Sequence, residues 1–533
     1  MLRSADDVAS THVRGRASEA KLRASVTRGR DIAMGDDEID AIAAAAAAAL
    51  PLHASDTDYT PLVDSIGDAQ FVLLGECTHG TAEFYRHRAA ITQALIEKKG
   101  FSIVLVEGDW PACYRLNQYV TSAESADSSA QRALQGFEGF PRWMWRNSIT
   151  AELAEALRSR NTRVRAARAE HSEADSTVNS MRAAGATEEQ LKEMGFSTDA
   201  APPVEVSFYG MDTYSVNASA EAVIEFLEVV DPEAADRARA CYSHVAPFGD
   251  DMKKYGFSVV LGELRGLADT IQDDLLSTLA ELQRQNRETY DLVMGPAELL
   301  NAEQNAQVVV NGESYFRGLF EEGGGGVNTW NLRDQHMVQT CLRLVEFHQI
   351  KCDGRPPKVV LWAHNSHVGD ARATDRAAGE EWNLGQMMRT TFGEDSTYLV
   401  GFGTHSGSVT AAVEWGAEAQ TFELNEAEAG SYSDILHSAL PIVRDRLGVE
   451  GANLNDVLLL IRAEAGRAQE ARDGADEKLT AMRKAFGPLR RQRAIGVRYQ
   501  KEREDLVHYV NASLASQFDA WIHVDRSTAL EPL

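Results

Sequence analysis

Phe71-Val72-Leu73-Leu74-Gly75-Glu76-Cys77-Thr78-His79-Gly80 is the stretch on which the fold turns. Four apolar residues run without a polar break and then stop at a glycine. A strand with one wet face alternates in polarity, whereas a continuous apolar run suits a strand buried on both faces. Ala82–Lys99 follows with helical composition, and Ile103–Val106 repeats the apolar run. Residues 71–106 therefore read as a strand–helix–strand unit, whose two strands lie parallel. Runs of the same kind recur at Val206–Tyr209, Val359–Trp362 and Tyr398–Val400. Ile495–Tyr499 and Trp521–Val524 read as two further strands. The expectation is an α/β fold with a mainly parallel sheet flanked by helices.

Outside these runs the chain is largely helical in character. Asp40 precedes an alanine run, Ala41–Leu50, that Pro51 stops, which predicts an early packing helix. Longer helical insertions are expected at about 151–200, 217–355 and 455–490. Gly323–Gly326 lacks the Gly-Lys-Ser/Thr of a phosphate loop and reads as a flexible loop. Gly401-Phe402-Gly403 follows a strand, but β-prone Ser408–Val413 comes next where a dinucleotide fingerprint needs a helix. Residues 1–34 carry seven Lys/Arg against four acids and read as a flexible N-terminal tail. Residues 35–533 are then expected to form one catalytic α/β domain carrying the helical insertions.

The chain has 533 residues, of which 44% are hydrophobic and 25% charged, so it can bury a large core without staples. Lys+Arg number 53 and Asp+Glu 80, a net charge of -27. A field this negative repels phosphates and anionic lipid, so nucleic acid and membrane are not expected partners. Five cysteines, an odd number with no CxxC pair, do not make a disulfide framework or a zinc ribbon. No apolar run reaches the roughly 18 residues of a membrane span, and no secretory signal core follows the N-terminus. A cytoplasmic location is the expectation.

The chemistry collects where strands end. The first run leads into Glu76 and His79, the second into Glu107-Gly108-Asp109-Trp110, the third into Gly210-Met211-Asp212, and Val359–Trp362 into Ala363-His364-Asn365-Ser366-His367. Parallel strands place these groups on one rim, the carboxyl edge where open α/β sheets bind ligands. Any one of them alone fits a structural role, such as a helix cap or a buried ion pair. Several strand ends carrying ionisable groups are harder to explain by packing, because buried charge is costly unless partnered. The set suits a histidine general base, oriented by a carboxylate, that activates water directly. No GxSxG elbow is present to supply a serine nucleophile. The same Glu and His residues are also plausible ligands of a divalent metal, although HExxH is absent.

At these residues the sequence resembles the erythromycin esterase family. Gly75–Gly80, Glu107–Trp110, Tyr209–Asp212, Trp330–Asp334, Trp362–Gly369, Arg493–Val497 and Gln517–Ala520 are similar to its motifs and stand in the same order. The resemblance runs from about Leu62 to Leu533. It implies a three-layer α/β/α sandwich with a large helical lobe over the cleft. It implies hydrolysis of a macrolide lactone, with His79 activating water and with Glu76, Glu107, His364, His367 and Arg88 also required. No cofactor and no metal are implied. Cys77 stands where the family often has Ala or Ser.

The expected catalytic residues are thus His79, Glu76, Glu107, His364, His367 and Arg88. Asp109, Trp110 and Asp212 are expected to contact a small-molecule ester substrate. Two rivals use the same rim. One is a metal-dependent hydrolase of a non-ester substrate. The other is a haem- or iron-binding protein without catalysis, ligated through His79, His364 or His367.

Overall fold

A computed structural model describes residues 35–52, 59–183, 186–187, 190–191, 194, 204–249, 251–261, 268–284, 287–320, 328–351, 355–449, 454–462 and 472–533. The expected tail at 1–34, the Gly323–Gly326 loop, Cys352 and parts of the insertions at 151–200 and 455–490 lie outside the described residues. The strands in chain order are β1 Leu50–Leu52, β2 Phe71–Leu74, β3 Ile103–Asp109, β4 Ser207–Asp212, β5 Val359–Trp362, β6 Thr397–Ala411, β7 Gln420–Glu423, β8 Asp456–Leu460, β9 Arg490–Arg493, β10 Tyr509–Ala512 and β11 Ala520–Ser527.

The chain forms two units, the first from residues 1–91 and 361–531, the second from 92–360 and 532–533. In the first unit the strands lie in the order β1-β8-β11-β6-β2, and the last residues of β5 sit beside β2. β2 and β11 both run parallel to β6, while β8 is antiparallel to β11 and β1 to β8. Every residue of β2 and β5 is buried, as their unbroken apolar runs require. The Ala82–Lys99 helix follows β2 with the expected bounds, and Phe84, Tyr85, Ile91 and Leu95 make its buried side.

Two glycines answer a question left by the sequence. Gly401 and Gly403 sit inside β6, where a Cβ on either would strike the buried Trp521 ring of β11. They make room for an indole; no dinucleotide loop forms there.

In the second unit β3 and β4 pair in parallel, from Ile103 opposite Ser207 to Asp109 opposite Asp212, with an irregularity between Val106 and Asp109. The rest is helical. Ser148–Ala183 is one long helix, and Val216–Val230, Pro232–Tyr242, Ala268–Arg284 and Pro296–Gly318 form a lobe around Val223, Phe226, Tyr255, Leu275, Leu282, Tyr290 and Val309. Each such side chain contributes about 1.5–3 kcal/mol on burial. The mixed α/β class, the mainly parallel sheet and the helical lobe agree with expectation. None of the described helices is long and apolar enough to cross a membrane.

Two expected elements are corrected. Ile495–Tyr499 is no strand, because only single bridges form there, Thr78 with Ile495 and Ala412 with Arg498. The neighbouring strand is instead the polar β9, which pairs with β10. Its Arg493 is buried because Glu504 accepts from Nε at 2.7 Å and the carbonyls of Thr404 and His405 accept from Nη1 at 2.9 Å. The helical insertion expected at about 455–490 opens with β8, and its described helix is Arg472–Ala485. Val457–Leu459 are fully apolar and buried between β1 and β11, which overrides the helix-forming composition downstream.

Candidate active site

In the first unit the loop after β2 is stitched down by its own backbone. Gly75 donates to Val400 O at 2.8 Å, and Glu76 O and Cys77 O accept from Asn365 N at 2.8 Å and Ile495 N at 2.7 Å. A side chain at Gly75 would collide with the Asn365 amide, and one at Gly80 with the Thr410 backbone. Glycine is therefore needed at both positions, because other backbone or side-chain atoms fill the space.

This stitching holds Glu76, fully buried, between two partners. His79 Nδ1 lies 2.9 Å from Oε1, and Arg88 Nη2 donates to Oε2 at 2.7 Å. Arg88 comes from the Ala82–Lys99 helix and is itself fully buried. Its guanidinium lies over Tyr85 and Trp362, 4.4 and 4.7 Å from the ring centres. The ion pair holds Glu76 in place, and the two aromatic faces hold Arg88. An ionised carboxylate only accepts hydrogen bonds, so His79 Nδ1 carries the proton and Nε2 the lone pair. Tyr85 fixes the same segment by donating to His79 O at 3.0 Å.

His364 closes the group from the loop after β5. It caps the short helix Asn365–Val368, its Nδ1 accepting from Ser366 N at 3.2 Å with Ser366 Oγ at 2.8 Å. A backbone N–H can only donate, so the neutral His364 ring carries its proton on Nε2. The His79 and His364 ring centres stand 5.1 Å apart, tilted by 53°. The two rings thus have complementary tautomers, the His79 proton on Nδ1 and the His364 proton on Nε2. His367 lies three residues further along the same short helix and is buried.

The second unit holds the remaining expected residues. Arg333, on the Thr329–Lys351 helix, donates from Nη2 to Glu107 Oε1 at 2.6 Å and grips Asp212 through Nε at 2.9 Å and Nη2 at 2.8 Å. Tyr214 lies under the guanidinium at 4.8 Å. Burial alone would lower the Arg333 pKa, but Asp212 and Glu107 outweigh it and raise it well above the usual value. Asp109 ends β3 opposite Asp212. Trp110 is almost fully buried, stacked on Tyr209 at 5.4 Å and on Tyr114 at 6.1 Å, and donates to Asn301 Oδ1 at 2.9 Å. That is the environment of a packing indole.

Glu76, His79, Arg88 and His364 come together in one unit, and Glu107 and Asp212 come together in the other. Sequence reasoning did not single out Arg333 or Ser366. Arg333 sits in the Trp330–Asp334 motif, which was the available signal; Ser366 stands between the two expected histidines. Cys77 is buried beside the site, and burial pushes its thiol up to about 12, which removes it as a thiolate nucleophile.

Three solved structures share the fold. A succinoglycan biosynthesis protein aligns over 94% of this chain and 100% of its own, at 17% identity and a TM-score of 0.63. A Bacillus cereus protein aligns over 93% and 99%, at 17% identity and a TM-score of 0.63. The erythromycin esterase EreC, a mutant in its open conformation, aligns over 90% and 98%, at 15% identity and a TM-score of 0.56. At these identities the likeness is one of fold. The family model described as erythromycin esterase matches residues 96–527, a span that begins after Glu76 and His79. With most of its length matched, the chain belongs to the erythromycin esterase family.

Proposed function

We propose that the protein is a hydrolase that cleaves a carboxylic ester, with a macrolide lactone as the substrate class, by direct attack of water. The observation that carries this reading is the buried Arg88–Glu76–His79 relay with His364 beside it. Water gives its proton to His79 Nε2 as its oxygen bonds to the carbonyl carbon. Glu76 stabilises the imidazolium that forms. The Nε2–H of His364 is the donor available to the developing oxyanion. The tetrahedral intermediate then breaks its C–O bond, and the leaving alkoxide takes the proton back from His79. Glu107 and Asp212 are proposed to act as carboxylates held rigid by Arg333, with Asp109 as a further polar group. His367 is proposed to support His364 from the same helix. The family name of EreC and of the matched model supports the ester class.

Mass spectrometry of erythromycin incubated with the protein, with and without a chelator, tests the reading. The expected product is heavier by one water and forms equally in both. A product that vanishes with chelator would overturn the metal-free mechanism. No product from erythromycin or from a panel of simpler esters would overturn the ester class.

A further inference from the structure

β6 and β11 carry a second group of ionisable side chains, separate from the residues above. Their register pairs Thr404 with Val524 and Ser406 with Arg526, which sets His405 beside Asp525. His523 lies two residues before Asp525 and so on the same face of the strand. The Tyr432–Leu447 helix packs over both strands and brings His437. His437 Nδ1 meets Asp525 Oδ1 at 2.7 Å, and His523 Nε2 is 3.4 Å from the same oxygen. The His405 and His437 rings are stacked, 3.9 Å apart and 12° from parallel. One ligand atom each from His405, His437 and Asp525 fall within 4.8 Å of one another.

We propose that His405, His437 and Asp525 form a binding site for one zinc ion, which clamps β6 and β11 to the Tyr432–Leu447 helix. Three features support it. Two imidazoles and a carboxylate are a zinc donor set and a poor one for calcium or magnesium, which take oxygen ligands. His405 Nδ1 and His523 Nδ1 are buried with no hydrogen-bond partner among the described residues, which is unusual for buried polar atoms. His523, fully buried, has its Nε2 3.4 Å from the Asp525 carboxylate, as an outer partner of a metal ligand does. A cation lies in the plane of each ring it binds, so one ring must turn out of the stack. His437, with its side chain 43% exposed, has the room to do so. Zinc then replaces its hydrogen bond to Asp525, and water takes the fourth position. The ligands lie in three separate chain segments, so zinc bound only in the folded state stabilises that state.

The full-length protein, stripped with chelator and dialysed, is titrated with Zn²⁺ by calorimetry and with Co²⁺ by visible absorption. The expected result is one zinc per chain, a tetrahedral cobalt spectrum, and a thermal midpoint that rises with zinc. His437→Ala and Asp525→Asn should each weaken binding at least about tenfold and abolish the rise. His79→Ala should leave both intact. A wild type that binds no zinc in the titration overturns the proposal. So does binding that survives in both site variants, or that is lost in His79→Ala alone. The two variants change different ligands, so a folding defect in one leaves the other as the test.

Discussion

Glu76 and Glu107 follow near-identical apolar runs, and each is gripped by a buried arginine, yet the two clusters do different things. Glu76 meets one guanidinium and one imidazole. One of its oxygens is paired with Arg88 and the other faces His79 Nδ1. Glu107 and Asp212 share the Arg333 guanidinium. The first arrangement is the one proposed for proton transfer. The second is an acidic pair gripped by one arginine. The same strand-end pattern takes on a role only once the rest of the fold delivers its partners.

The largest expected effect sharpens the first half of this contrast. Glu76→Gln should lower ester hydrolysis by roughly 10²- to 10⁴-fold, because an amide that donates to His79 Nδ1 selects the wrong tautomer. Initial rates with a fixed ester measure it. Activity within a few-fold of wild type would remove Glu76 from the relay.

The next contrast is in stability. Arg333→Met removes the guanidinium shared by two buried carboxylates, whereas Arg88→Met removes it from one and leaves Glu76 its contact with His79. Breaking a buried pair costs about 3–5 kcal/mol, so both thermal midpoints should fall by several degrees, Arg333→Met further. Calorimetric melting of the two variants decides it. Equal shifts would show that the sharing of Arg333 has no energetic weight.

The acid response is of comparable size. Burial pushes His336 in the second unit down to about 4, and burial with His437 pushes His405 in the first unit down to about 3. Unfolded, each ring titrates near its ordinary 6.5. Between 6.5 and these depressed values only the unfolded chain takes up the proton. Stability should therefore be level above pH 7 and fall as the pH drops from 6.5 towards 4. Melting across that range checks it, and a midpoint that rises on acidification would contradict it. Cys77→Ala should do least, with activity nearly unchanged and a loss on the order of 1 kcal/mol from the vacated volume.

These differences also explain what the sequence made legible. β2, β3 and β5 could be read because continuous apolar runs have few other uses, and Glu76, His79 and Arg88 fall within fourteen residues of the end of β2. Their partnership is local, so loop and helix geometry nearly dictate it. β9 reads Arg-Arg-Gln-Arg, and nothing in that composition announces a strand. It is made by pairing with β10 and by the partners of Arg493. β8 is apolar but short, and the alanine- and glutamate-rich stretch after it masked the change of period. Arg333 lies 226 residues from Glu107 and 121 from Asp212. Only a tertiary structure joins residues so far apart. The motif around Arg333 was visible; its partners were not.

The central claim is that His79 is the base, and the ratio of kcat/KM between wild type and His79→Ala on one hydrolysable ester tests it most directly, with the melting curve of each as a control. A loss of about 10²- to 10⁴-fold is expected, with a cooperative melting curve retained and its midpoint lowered by no more than a few degrees. A variant that keeps its fold and stays within tenfold of wild type would contradict it.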